Sequence, residues 1–177
     1  MYVALYRNLN LGHRGSPNRE QLEDALARGG AHRVKSFQTN GTVLLDTETP
    51  LEIVQLAAPV LRACCGYDDA VFIQSVAQLE ALVALDIFEA HASPKTYREC
   101  VTFFRGPRTP EWELPWTNPK DDVDILYLND GVALSLTRKP RNTAGSPTAV
   151  LEQATQGVAT TRTLGTIQRL LKTAATW

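Results

Sequence analysis

Val34-Lys35-Ser36-Phe37-Gln38-Thr39-Asn40-Gly41-Thr42-Val43-Leu44-Leu45 decides the fold, because two runs rich in strand-forming residues flank an Asn-Gly pair. A type I′ turn needs positive φ at both central residues, so Asn40-Gly41 predicts a β-hairpin. Upstream, Ser16-Pro17-Asn18 offers a cap and a proline suited to a first helical turn, and Leu22, Ala25 and Leu26 form a stripe that stops at Gly29-Gly30. Before that helix, Tyr2 to Leu11 reads as a first strand. Downstream, Thr49-Pro50-Leu51-Glu52 has the spacing of a capping box, and the helix it opens runs to Cys65 and ends at Gly66. Pro59 lies inside that helix and removes the bond to the Gln55 carbonyl, so a kink or break is expected. Ala70 to Gln74 supplies a fourth strand, and Ser75-Val76-Ala77-Gln78 opens a capped helix with Leu79, Leu82 and Val83 inward.

The resulting order, β-α-β-β-α-β plus a helix, is the ferredoxin-like split βαβ pattern. The second half predicts a related series. Arg98 to Arg105 is a strand, and Pro107 to Pro119 is a Pro/Trp-rich connection with room for one helical turn. Val123 to Leu128 and Val132 to Thr137 form a hairpin turned at Asn129-Asp130-Gly131. Ser146-Pro147 caps a helix to Gln156, a short strand covers Val158 to Thr160, and Leu164 to Ala174 is the last helix. The expected fold is therefore α+β, two tandem ferredoxin-like (βαββαβ-type) subdomains, each followed by an extra helix, spanning residues 1–92 and 93–177.

A chain of 177 residues, 44% hydrophobic and 21% charged, can bury a core without disulfide staples. Its formal charge of -1 provides no whole-molecule field to draw it onto nucleic acid or anionic lipid, although a local patch remains open. Three cysteines, two of them the neighbours Cys64 and Cys65, suggest reduced thiols and a cytoplasmic setting. Leu56 to Cys65 is the longest apolar stretch, and it falls short of the roughly 20 residues that span a bilayer. No membrane partner is expected.

Chemical signatures are sparse. His13, His32 and His91 are scattered, and the cysteines lack ligand spacing, so neither a metal site nor a cofactor is expected. Asp121, Asp122 and Asp124 lack the downstream glutamate of a calcium loop. Gly12-His13-Arg14-Gly15-Ser16 has the amides and positive charge for weak anion capture, yet neither a Walker nor a dinucleotide fingerprint; an ordinary strand-to-helix loop explains it as well. No G-x-S-x-G elbow is present.

Polar residues do gather at the ends of the predicted strands: Arg7, Asn8 and Asn10; Gln38 and Asn40; Arg138, Lys139 and Arg141; Thr160, Thr161 and Arg162. A buried arginine must find a carboxylate, a carbonyl, water or a ligand. Capping of turns accounts for these residues, and so does a shared anion-binding groove between the subdomains.

Three segments carry a resemblance. Tyr2-Val3-Ala4-Leu5-Tyr6-Arg7-Asn8-Leu9-Asn10-Leu11-Gly12 resembles the opening motif of the domain-of-unknown-function 1697 family, in which an arginine precedes Gly-Ile-Asn-Val-Gly. Ser36-Phe37-Gln38-Thr39-Asn40-Gly41-Thr42-Val43 is similar to that family's Gln-Ser-Gly-Asn segment, and Thr160-Thr161-Arg162-Thr163-Leu164-Gly165-Thr166 to its Thr-Thr-Arg-Asn-Trp-Asn-Thr segment. The resemblance implies a bacterial-type cytosolic protein of two α+β subdomains with no established activity. Asn8 in place of glycine, the reversed order of Asn40-Gly41, and Thr163, Leu164 and Gly165 in place of Asn-Trp-Asn are departures from the pattern.

The leading expectation is a non-catalytic module binding a small anionic ligand, a nucleotide or a nucleic-acid segment through Arg7, Asn8, Asn10, Gln38, Asn40, Arg138, Thr161 and Arg162. Nucleic acid is disfavoured by the near-neutral charge and by the lack of a stacking aromatic pair in an RNP-like pattern. The alternative is an enzyme whose anionic substrate is held by Arg7 or Arg162, with His13 or an aspartate as acid or base. A third reading is an assembly protein using a sheet edge or the Trp112/Trp116 segment.

Overall fold

The computed structural model describes residues 1–177. It is α+β, with two antiparallel sheets and five helices, and its chain divides into two units, Met1–Glu80 with Thr173–Trp177, and Ala81–Lys172.

In the first unit β1 (Tyr2–Tyr6), α1 (Arg19–Arg28), β2 (Arg33–Phe37), β3 (Thr42–Asp46), α2 (Pro50–Cys65) and β4 (Val71–Ser75) follow in turn. The sheet order is β2-β3-β1-β4, with every neighbour antiparallel. Ala4 and Tyr6 of β1 and Val43 and Leu45 of β3 share one face by the two-residue strand period, and α1 and α2 cover it with Leu22, Leu26, Ile53 and Leu61. Each such large side chain contributes about 1.5–3 kcal/mol by leaving water.

Local chemistry corrects several expectations. β1 stops at Tyr6 rather than continuing to Leu11, because Asn8 takes a left-handed backbone (φ 52). The cap of α1 is Asn18, whose side chain accepts from the Gln21 amide while the Gln21 side chain accepts from the Asn18 amide; Pro17 precedes the cap. Thr49 makes no side-chain cap, and the capping box expected there does not form. α2 runs unbroken through Pro59 and ends at Gly66, whose φ of 74 suits the left-handed cap. The β2–β3 turn is a four-residue loop closed by the Phe37–Thr42 pair, with positive φ at Gln38 and Gly41 rather than at both Asn40 and Gly41. Gly41 is required there: a Cβ would stand 2.8 Å from the Tyr6 Cβ.

The helix α3 (Val76–Ala84) opens with the expected reciprocal cap between Ser75 and Gln78, and it buries Leu79 fully. Leu82 and Val83 are only half-buried.

The second unit contains β5 (Arg98–Arg105), β6 (Trp116–Thr117), β7 (Val123–Asn129), β8 (Val132–Thr137), α4 (Pro147–Thr155) and β9 (Val158–Thr163), and α5 (Leu164–Ala174) follows. Its sheet order is β6-β7-β8-β5-β9, again antiparallel throughout. Asp130 (φ 46) and Gly131 (φ 75) turn β7 into β8; the hairpin lies where the sequence placed it, but Asn129 pairs with Val132 inside the ladder, so the turn has two residues rather than the expected three. Between β5 and β7 there is no helix and no helical turn. The chain instead adds the edge strand β6 and lays Trp112 and Trp116 on a core of Val123, Ile125, Ala133, Leu151 and Ala159. The second unit thus departs from βαββαβ at its first crossover, where stacked indoles cover sheet area that a helix would otherwise occupy.

Candidate functional site

Register brings several cationic side chains together in the second unit. Because Arg98 opposes Thr137, the residue preceding β5 meets the residues following β8, and the Tyr97 amide donates to the Thr137 carbonyl at 2.7 Å. Arg138 and Lys139 therefore emerge beside Tyr97. The Lys139 ammonium lies 4.2 Å from the centre of the Tyr97 ring, and the Arg98 guanidinium lies 4.8 Å from it. Arg98 also donates to the phenol oxygen at 3.1 Å. The ammonium of Lys139, then the charge of Arg98, hold the Tyr97 phenol below the usual tyrosine range.

Arg138 is fixed rather than free. Its guanidinium donates to the Asp121 carboxylate at 2.9 Å, to the Asp121 carbonyl at 3.1 Å and to both oxygens of Asp124. Burial pushes the Asp124 carboxyl up, but hydrogen bonds from Arg138 and Thr117 and the charges of Arg138 and His91 outweigh it and hold the group below the usual carboxylate range. The same Asp124 bond raises the Arg138 guanidinium above its ordinary value. Against this anchored residue and its partner Asp121, Lys95, Tyr97, Lys139 and two prolines, Pro94 and Pro140, line a hollow of about 490 Å3. Neither Lys95 nor Lys139 has a carboxylate within ion-pair distance.

The remaining sequence candidates fall into two groups. In the first unit, the end of β1 meets the β2–β3 loop: the Tyr6 amide donates to the Gly41 carbonyl and the Leu11 amide to the Thr39 carbonyl, both at 2.8 Å. Arg7, Asn8, Asn10, Gln38 and Asn40 consequently share one end of that sheet. Their polar groups make internal bonds there. Arg7 and Asn8 both donate to Asp69, at 2.9 Å each, and the Tyr67 hydroxyl donates to the Arg7 carbonyl at 2.6 Å. Asn10 receives through its carbonyl the His13 amide, the Gln38 carbonyl accepts from Arg19 at 3.3 Å, and the Asn40 side chain accepts from Thr42 at 2.8 Å. Asp69, the titratable group nearest Arg7, is thus engaged by two donors.

In the second unit Thr161 and Arg162 are neighbours on β9 and project to opposite faces. The Thr161 hydroxyl joins those of Thr102 (2.8 Å) and Thr148 (2.7 Å), tying β5, β9 and α4 together. Arg162 is only 6% exposed, and its guanidinium donates to the Thr160 hydroxyl at 2.8 Å and to the Thr161 carbonyl at 2.9 Å. These two residues do not act on one ligand from one side of the sheet.

Lys139 belongs to the polar cluster visible in the sequence, whereas no local pattern marks Lys95 or Tyr97. Their signal is positional: they precede a strand whose partner ends at Thr137, just before Arg138, and only the β5–β8 pairing reveals it. No three His, Cys, Asp or Glu side chains come together to hold a metal ion, and no helix is long and apolar enough to cross a membrane.

A family model described as "Protein of unknown function (DUF1697)" matches residues 1–133. The match includes the β1 and β2–β3 segments and ends before Thr161 and Arg162. No curated protein and no solved structure matches the chain.

Proposed function

We propose that this chain, which belongs to the DUF1697 family of proteins of unknown function, is a non-catalytic binding module for a small phosphate- or carboxylate-bearing ligand. One observation carries the reading: Lys95 and Lys139 line a 490 Å3 hollow without carboxylate partners of their own, while Asp121, the carboxylate that also lines it, is paired with Arg138. An anion entering there meets two ammonium groups that no carboxylate pairs. Both the Arg98 and the Lys139 cations lie against the Tyr97 ring, which favours an anion over a stacked base as the occupant. The near-neutral total charge favours a small ligand over a nucleic-acid chain.

The same proposal takes the first unit as ferredoxin-like, on the support of its antiparallel β2-β3-β1-β4 order, and the second as a variant without the first helix. Three free cysteines support a reducing, cytoplasmic setting.

Thermal melting with inorganic phosphate tests the site. Phosphate at ten times its dissociation constant stabilises the folded protein by about 1.4 kcal/mol. The shift is expected in the natural chain and in the exposed first-unit variant Lys35→Ala, and it is expected to vanish in Lys95→Ala/Lys139→Ala. A shift that survives the double substitution, or no shift with phosphate or citrate, overturns the reading.

A further inference from the structure

We propose that a second cavity, between the Trp112–Trp116 pair and α4, binds a planar heteroaromatic ring of nucleobase type. The two indoles are stacked, with centres 4.1 Å apart and planes 7° from parallel. Trp116 is positioned by β6, where it opposes Ile125, and both rings pack on the Val123–Ile125–Leu151 core. Facing them, α4 presents Ala149, Val150 and Ala154. Small side chains opposite a rigid aromatic wall leave a space of about 610 Å3, a volume suited to a single small ligand.

The walls are held by specific bonds. The Asn118 side chain accepts from the amides of Asp122 (3.0 Å) and Val123 (2.9 Å) and donates to the Asp122 carboxylate at 2.7 Å. Ahead of α4, the Gly145 amide donates to the Arg138 carbonyl at 3.0 Å, and a Cβ at this position would collide with the Asp122 carbonyl. Glycine therefore lets the approach to α4 close against the turn that forms the cavity floor.

The exposed rim offers groups that complement a polar ring edge. Lys120, Thr143 and Gln153 line the cavity, and no hydrogen bond or ion pair to another protein group engages their side chains. Lysine donates, while the threonine hydroxyl and glutamine amide both donate and accept. A ring with donors and acceptors along its edge satisfies these groups while its face lies on the indole wall. A hydrocarbon ring would gain nothing from these exposed donors and acceptors, and a non-aromatic polyol would forgo ring stacking.

Fluorescence titration in a Trp177→Phe background reads the cavity, because its remaining tryptophans are Trp112 and Trp116. Adenosine, guanosine, free ribose and glucose are the probes; all are uncharged, so the Lys95/Lys139 hollow does not contribute. Saturable quenching by a purine nucleoside and none by the sugars is expected. Filling the slot with Ala154→Phe should weaken binding roughly ten-fold or more, because a base kept out of the cavity forfeits its stack on the indole wall. Circular dichroism checks that this variant is folded, and calorimetry on Trp112→Leu provides an independent second variant. The proposal is overturned if neither nucleoside binds, if a sugar binds as well as the nucleosides, or if both variants retain the parent affinity.

Discussion

The Lys139 ammonium rests 4.2 Å from the centre of the Tyr97 ring, and the phenol it approaches is shifted toward easier ionisation. Lys139→Met removes the main cause, leaving the charge of Arg98. The tyrosinate transition of Tyr97, isolated by subtracting the titration of Tyr97→Phe, should move upward toward the ordinary value near 10.0. An unchanged transition would show that Lys139 does not sit on the ring in solution.

Arg138 and Asp124, whose side chains are 18% and 19% exposed, form the anchor beneath this cluster. Asp124→Asn leaves a partly buried guanidinium without its main partner and should cost about 2 kcal/mol by chemical denaturation at neutral pH. The folded carboxyl lies below its ordinary 3.8, so its stabilisation is complete above that value and is lost as pH falls through the depressed folded value. The stability gap between natural chain and variant should therefore be flat from neutrality to about pH 4 and narrow below it. A gap that widens in acid would contradict the assigned shift.

Thr161 bridges two other hydroxyls, and Thr148 ends that chain. Thr161→Val deprives both neighbours of a partner and should destabilise by about 1–3 kcal/mol, whereas Thr148→Val should cost about 1 kcal/mol or less. Equal costs in urea unfolding would mean that the hydroxyls act independently.

Gly41 and Gly66 share a left-handed backbone, with φ of 69 and 74, but only Gly41 is crowded by Tyr6 and Leu9; nothing lies near a Cβ at Gly66. Gly66→Ala should cost about 1 kcal/mol of backbone strain. Gly41→Ala adds displacement of β1 and should cost about 1–3 kcal/mol more. Matching melting temperatures for the two variants would refute the close approach of the β2–β3 loop to β1.

Periodicity and turn chemistry were sufficient for most elements. β5, β8 and α5 lie where residue pattern placed them, and Asp130-Gly131 turns the second hairpin as two-residue chemistry requires. These features depend on neighbours within a few residues, so the chain carries them locally. Other features depend on what approaches from afar. Gln38, not Asn40, takes positive φ because the four-residue loop must set its backbone against Tyr6 and Leu11. No helix follows β5, because Trp112 and Trp116 cover that face of the sheet. Arg7 and Asn8 turn to Asp69, more than sixty positions along the chain, and Tyr97 meets Lys139 only through the pairing of β5 with β8. A residue's backbone preference is encoded near it, but the partner of a charge is set by strand order and register, which bring together groups whose separation along the chain says nothing of their distance.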